Sequence, residues 1–128
     1  MASLPKPIAV FVGGGLGALI RQAGGNLGQL AGIERFHATM LINVLGSLLI
    51  GVAAARLTGG ENTPERRALA SAFVMTGVLG GFTTFSTFSL EMVELLQSGR
   101  FVAAALGIAA SVIACAAAAA LGLRLARP

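Results

Sequence analysis

The chain has 128 residues, enough for one domain, 1–128. Hydrophobic residues make up 55% of it and charged residues 11%, which excludes an ordinary soluble domain, where about a quarter of residues are charged. The net charge of +4 sits on basic residues scattered singly, so no nucleic-acid stripe forms, and one Cys with one His cannot build a structural zinc site.

Four apolar segments follow in order, at about 5–30, 37–57, 68–97 and 101–125. Each is long enough to cross a bilayer, which takes roughly 20 helical residues. The connectors AGIERFH, TGGENTPERR and QSGR hold the turn formers and many of the charges. The pattern predicts an all-α membrane protein of four transmembrane helices. Trp and Tyr, the usual interface markers, are absent.

In segment one, Lys6 followed by Ile8 to Ile20 loosely fits a leader, but RQAGG is a poor cleavage site, so the segment is expected to remain as a span. Gly13 with Gly17, and Gly24 with Gly28, are small residues at four-residue spacing, the pattern that lets helices approach closely in lipid. Arg21 comes late in the segment. It is either a membrane-edge arginine or an electropositive entrance that draws anions.

Segment two places Thr39, Asn43 and Ser47 on one helix face. The hydroxyls can bond back to their own helix, but a buried amide needs partners. Asn43 therefore either bridges to another helix or faces a water-filled path as a donor.

Segment three is long: about 30 residues would reach about 45 Å as a straight helix, against a hydrocarbon core of about 30 Å. Its middle reads GVLGGFTTF. The adjacent Gly80 and Gly81 weaken a helix, so the third helix is expected to break there, in backbone that a branched side chain resists. Broken backbone at membrane depth survives only when buried in protein or lining a cavity, and its freed carbonyls suit a hard cation. A helix over 82–91 would crowd Phe82, Phe85, Phe88 and Ser89 on one side and Thr84, Thr87 and Glu91 on the other. Phenyl ring edges are electropositive, and together with hydroxyl donors they can meet a small anion and still release it. Glu91 and Glu94 can face the same way, as an exposed helix end or, for Glu91, as part of a polar path.

Segment four carries Ala103, Gly107, Ser111, Cys115 and Ala119 as one small-residue stripe, in which Cys115 reads as a packing residue. Four spans put both termini on one side. That side holds Lys6, Arg56, Arg66, Arg67, Arg124 and Arg127, and the other holds Arg35, Arg100 and, at its margin, Arg21, which favours cytoplasmic termini.

GGGLGALIR in segment one, INVLGS in segment two and GGFTTFSTFSLE in segment three together resemble the Fluc family of fluoride channels, also called the CrcB family. The similarity covers essentially the whole chain, and TTFSTF is its most specific element. The resemblance implies an antiparallel homodimer of dual topology in the bacterial inner membrane. It implies passive, fluoride-selective export that relieves fluoride toxicity. It places Phe85, Phe88, Asn43, Ser86, Thr87, Glu91, Arg21 and Ser111 along the fluoride pathway. It also implies a structural sodium ion at the dimer centre, held by the backbone carbonyls of Gly80 and Thr83.

A small proton-coupled exporter is the rival transporter, but it depends on an acid in the first segment, and segment one has none. A membrane scaffold would explain the small-residue stripes but not TTFSTF. No nucleophile, base and orienting group can be assembled, so an enzyme is not expected.

Overall fold

The computed structural model describes residues 5–58 and 62–127. The ends of the expected domain 1–128, and Gly59, Gly60 and Glu61 of the second connector, lie outside the described residues. The described residues form helices joined by short turns: α1 (Lys6–Leu30), α2 (Arg35–Thr58), α3 (Pro64–Ser71), a π-helical stretch (Ala72–Leu79), α4 (Gly80–Phe82), α5 (Phe85–Gln97) and α6 (Phe101–Ala126). Four spans are long and apolar enough to cross a bilayer: Lys6–Leu30, Arg35–Leu57, Pro64–Gln97 and Phe101–Ala126.

The third span begins four residues earlier than the apolar run suggests. Pro64 occupies its first turn, where a missing N–H costs nothing, and the Thr63 hydroxyl accepts from the Arg66 amide at 3.4 Å. α3 then widens into the π-helical stretch, which no sequence feature announced.

The helix breaks, but not at the glycines. Gly80 is ordinary right-handed helix at φ −64°, ψ −37°, and the chain turns extended only at Thr83 (φ −85°, ψ 156°) and Thr84 (φ −152°, ψ 119°). The expected strained backbone at Gly80 is therefore absent, and the expected continuous face from Phe82 to Glu91 is divided. Phe82 belongs to α4, whereas Phe85 and Phe88 belong to α5.

Gly81 serves close packing instead. A Cβ there would run into the backbone of Gly14 on α1, as a Cβ on Gly17 would run into Val78 and Phe82. α1 thus lies directly against the first half of the broken span, through Gly13 and Gly17 on one side and Gly77 and Gly81 on the other, each pair at four-residue spacing. α2 crosses α6 the same way, with Gly51 against Ala119 and Leu123, and Gly122 against Leu48 and Val52. The second half, α5, packs on α6 through a core of Phe88, Met92, Leu95 and Ala104, with Gly107 admitting the Met92 sulfur. The two halves of the third span therefore rest on different neighbours, and the break lies where support passes from α1 to α6.

One end of the bundle is tied by ions. Arg100 makes two hydrogen bonds to the Glu34 carboxylate, at 3.2 and 3.3 Å, and lies over the Phe36 ring. Arg35 lies 3.7 Å from Glu94.

Candidate functional site

The polar stripe of α2 meets the start of α5. Asn43 binds Thr84 twice: its Nδ2 donates to the Thr84 carbonyl at 2.9 Å, and its Oδ1 accepts from the Thr84 amide at 2.8 Å. The side-chain amide thus replaces the helical partners that the break removes. This is the interhelical bridge of the two readings left open, with one N–H still unassigned to it. One turn earlier, Thr39 donates to Glu91 Oε1 at 2.9 Å, and both residues are buried. Ser47, one turn later, borders a cavity described below.

Thr84 also caps α5. Its hydroxyl accepts from the Thr87 amide at 3.2 Å, lies 3.1 Å from the Thr87 hydroxyl, and lies 3.3 Å from that of the exposed Ser86. The hydroxyl row foreseen in TTFSTF is therefore a capping cluster at a helix N-terminus within the membrane span.

The break also releases carbonyls. In a continuous helix the Thr84 amide would bond the Gly80 carbonyl, and the Thr87 amide the Thr83 carbonyl. Both amides are diverted, to Asn43 and to the Thr84 hydroxyl. The Gly81 carbonyl is taken by Arg21, whose Nε donates to it at 3.1 Å. Arg21 is thus tied to the end of α4, where a cation complements the helix dipole, rather than extended to the membrane edge.

Two cavities flank the break. The first, of about 250 Å³, is polar, and Arg21, Arg35, Thr39, Thr84, Thr87 and Glu91 line it. Gln22, Asn26 and Gln29 add an amide row from α1. Their i, i+4, i+7 spacing was legible in the sequence but carried no motif. Glu91 Oε2 is buried without a hydrogen-bond partner. The second cavity, of about 370 Å³, lies on the other side of Thr84. Asn43, Ser47, Thr83, Phe85, Phe88 and Ser111 line it, and Gly80 and Cys115 border it. The Phe85 and Phe88 rings are 6.0 Å apart, centre to centre, and tilted by 46°. Phe88 is 5% exposed and Phe85 76% exposed in the protomer. The Ser111 hydroxyl is buried with no partner.

The structure thus divides the expected site residues between two spaces. Arg21, Thr87 and Glu91 border the first, and Asn43, Phe85, Phe88, Ser111 and the backbone of Gly80 and Thr83 border the second. Thr84 joins them. Ser86 lies beside the Thr84 hydroxyl and borders neither of the two. Sequence reasoning passed over Thr39 as a partner for Glu91 and Cys115 as a wall of the second cavity. The four-residue spacing of Thr39, Asn43 and Ser47, and of Ser111 and Cys115, held both signals.

A four-span membrane protein whose third span is interrupted beside lined cavities belongs to the transport class of small membrane bundles. The chain belongs to the CrcB family: the family described as CrcB-like protein, Camphor Resistance (CrcB) matches residues 8–123. A protein of Rhodospirillum centenum named fluoride-specific ion channel FluC is 47% identical over 108 residues, covering 81% of each chain. One of Methylobacterium nodulans with the same name is 45% identical and covers 84% of each. A third, from Ruminiclostridium cellulolyticum, is 40% identical over 128 residues, 99% of this chain and 96% of its own.

Proposed function

We propose that this chain is a passive, fluoride-selective ion channel that lets fluoride out of the cell. The observation that carries this is the second cavity, in a chain whose relatives bear that name. There Ser111, whose buried hydroxyl has no partner, lines the same space as two tilted phenyl rings and Asn43. Ser111 and the spare Asn43 N–H replace part of the hydration shell of fluoride. The electropositive edges of Phe85 and Phe88 attract the ion weakly enough to release it. The Thr87 hydroxyl, the Arg21 guanidinium and Glu91 with its Thr39 partner form the continuation of the path through the polar first cavity, and the Ser86 hydroxyl adds a donor beside Thr84. Fluoride enters cells as neutral HF and ionises inside, so a passive leak of the anion lowers it without a pump. The chemistry is conduction, and the chain is not an enzyme.

A structural sodium ion belongs at the break. The diverted Thr84 and Thr87 amides support this, because they leave the Gly80 and Thr83 carbonyls as hard oxygen donors. The sodium neutralises the carbonyl ends there and fixes the backbone that presents Phe85.

The working unit is an antiparallel homodimer in the bacterial inner membrane. Phe85, 76% exposed in the protomer, supports a second copy closing the cavity wall. The buried Glu91, with one unpaired oxygen, is the feature that favours proton-coupled export as the second reading.

The test is efflux from proteoliposomes of the full chain. Fluoride-loaded vesicles leak on addition of a potassium ionophore, and chloride-loaded vesicles do not. Equal chloride flux would sink the selectivity. Flux that requires an imposed proton gradient would establish the exporter.

A further inference from the structure

The second cavity has one sulfur in its wall. Cys115 lies one helical turn after Ser111 on α6, and both border this space with Phe85 and Phe88. Side chains four apart on a helix have Cβ atoms about 5–6 Å from one another. Ser111 is 6% exposed, and its hydroxyl has no partner. Cys115 is a free, half-buried thiol and the only cysteine of the chain. Cys115 borders open volume one helical turn from Ser111, whose hydroxyl has no partner.

The cavity wall holds no Lys, Arg or His, so nothing there assists alkylation of the thiol. A soft cation needs no such help, because forming the metal–sulfur bond itself displaces the proton. We propose that Cys115, with the Ser111 oxygen as a weaker second donor, binds a thiophilic d10 cation such as Hg²⁺ within the anion pathway, and that its occupancy blocks conduction. The step is Cys–SH + Hg²⁺ → Cys–S–Hg⁺ + H⁺, with the sulfur pair forming the new bond and the proton passing to water. The bound metal fills space between the rings and the hydroxyls. Its positive charge holds fluoride where weak binding is needed for exit. The block rests on the channel reading above, whereas the binding site does not.

The experiment uses the full chain in proteoliposomes, with mercuric chloride as the probe and intact mass and fluoride efflux as readouts. The expected result is one mercury per chain and a fall in flux of about tenfold or more, reversed by excess dithiothreitol. Cys115→Ser takes up no mercury, and the reagent leaves its flux, whatever its level, unchanged. Ser111→Ala takes up mercury but yields it to about tenfold less competing glutathione. The proposal is overturned if mercury adds only after detergent denaturation. It is equally overturned if full addition leaves flux undiminished. If wild-type vesicles show no fluoride flux before the reagent, the channel reading fails, and the mass adduct with its Ser111 dependence decides the site alone.

Discussion

At the scale of single residues, Asn43 is the hinge of the site. Its amide supplies both a donor and an acceptor to Thr84, so no other side chain of its shape replaces it. Asn43→Asp keeps the acceptor, loses the donor and sets a carboxylate against the Thr84 carbonyl. The expected cost is about 1–3 kcal/mol of stability, read by thermal unfolding in detergent, with a steep loss of fluoride flux per folded protein. The two rings separate packing from conduction. Phe88 is buried with Met92, Leu95 and Ala104, so Phe88→Ile should lose about 1–2 kcal/mol, whereas Phe85→Ile, at an exposed ring, should leave the protomer fold intact. An aliphatic chain has no ring quadrupole, so both variants should lose most fluoride flux. Near-normal flux in both, measured with a fluoride electrode, would make the rings packing groups only.

At the scale of elements, the broken span turns on which glycine does what. A Cβ at Gly80 meets only the Met75 carbonyl, at an ordinary 3.7 Å, but one at Gly81 strikes the Gly14 backbone. Gly80→Ala should therefore keep folded yield and melting temperature near wild type, while Gly81→Ala should push α1 off α4 and lower both. The reverse ranking would mean that the break itself needs Gly80. The sodium proposal separates backbone from side chain in the same region. The Thr83 hydroxyl donates to the Leu79 carbonyl, which leaves its own carbonyl untouched. Replacing sodium by N-methylglucamine should lower the melting temperature of wild type and of Thr83→Ala by similar amounts. A sodium response lost in Thr83→Ala would assign the ion to the hydroxyl.

At the scale of the whole molecule, much of the apolar surface is open in the protomer. Phe11, Leu30 and Leu125 are exposed alongside Phe85, a surface suited to lipid. Arg21 is engaged inside the bundle with Gly81, so the charge bias is set by six residues against Arg35 and Arg100. Reporters fused to the C-terminus should nevertheless show activity in both compartments if the dimer is antiparallel. A signal confined to the cytoplasm would require a parallel dimer or a separate partner chain.

By itself, the sequence determined the four spans, because length and apolar content answer directly to bilayer thickness. It determined that Gly13 and Gly17 share one face of α1, because four-residue spacing fixes a face whatever it meets. It also drew attention to TTFSTF, whose hydroxyls and rings have no easy place in lipid. Only the tertiary structure decided where the third span breaks. Local propensity pointed to Gly80 and Gly81, but Asn43 on α2 captures the Thr84 backbone, and that long-range bond outweighs a helix preference of about 1 kcal/mol. The same holds for the split of the polar residues between two cavities and for the pairing of Thr39 with Glu91, 52 positions apart. Periodicity states which residues share a face. Which face it meets depends on how four helices pack, and that is settled by close contacts among residues far apart in the chain.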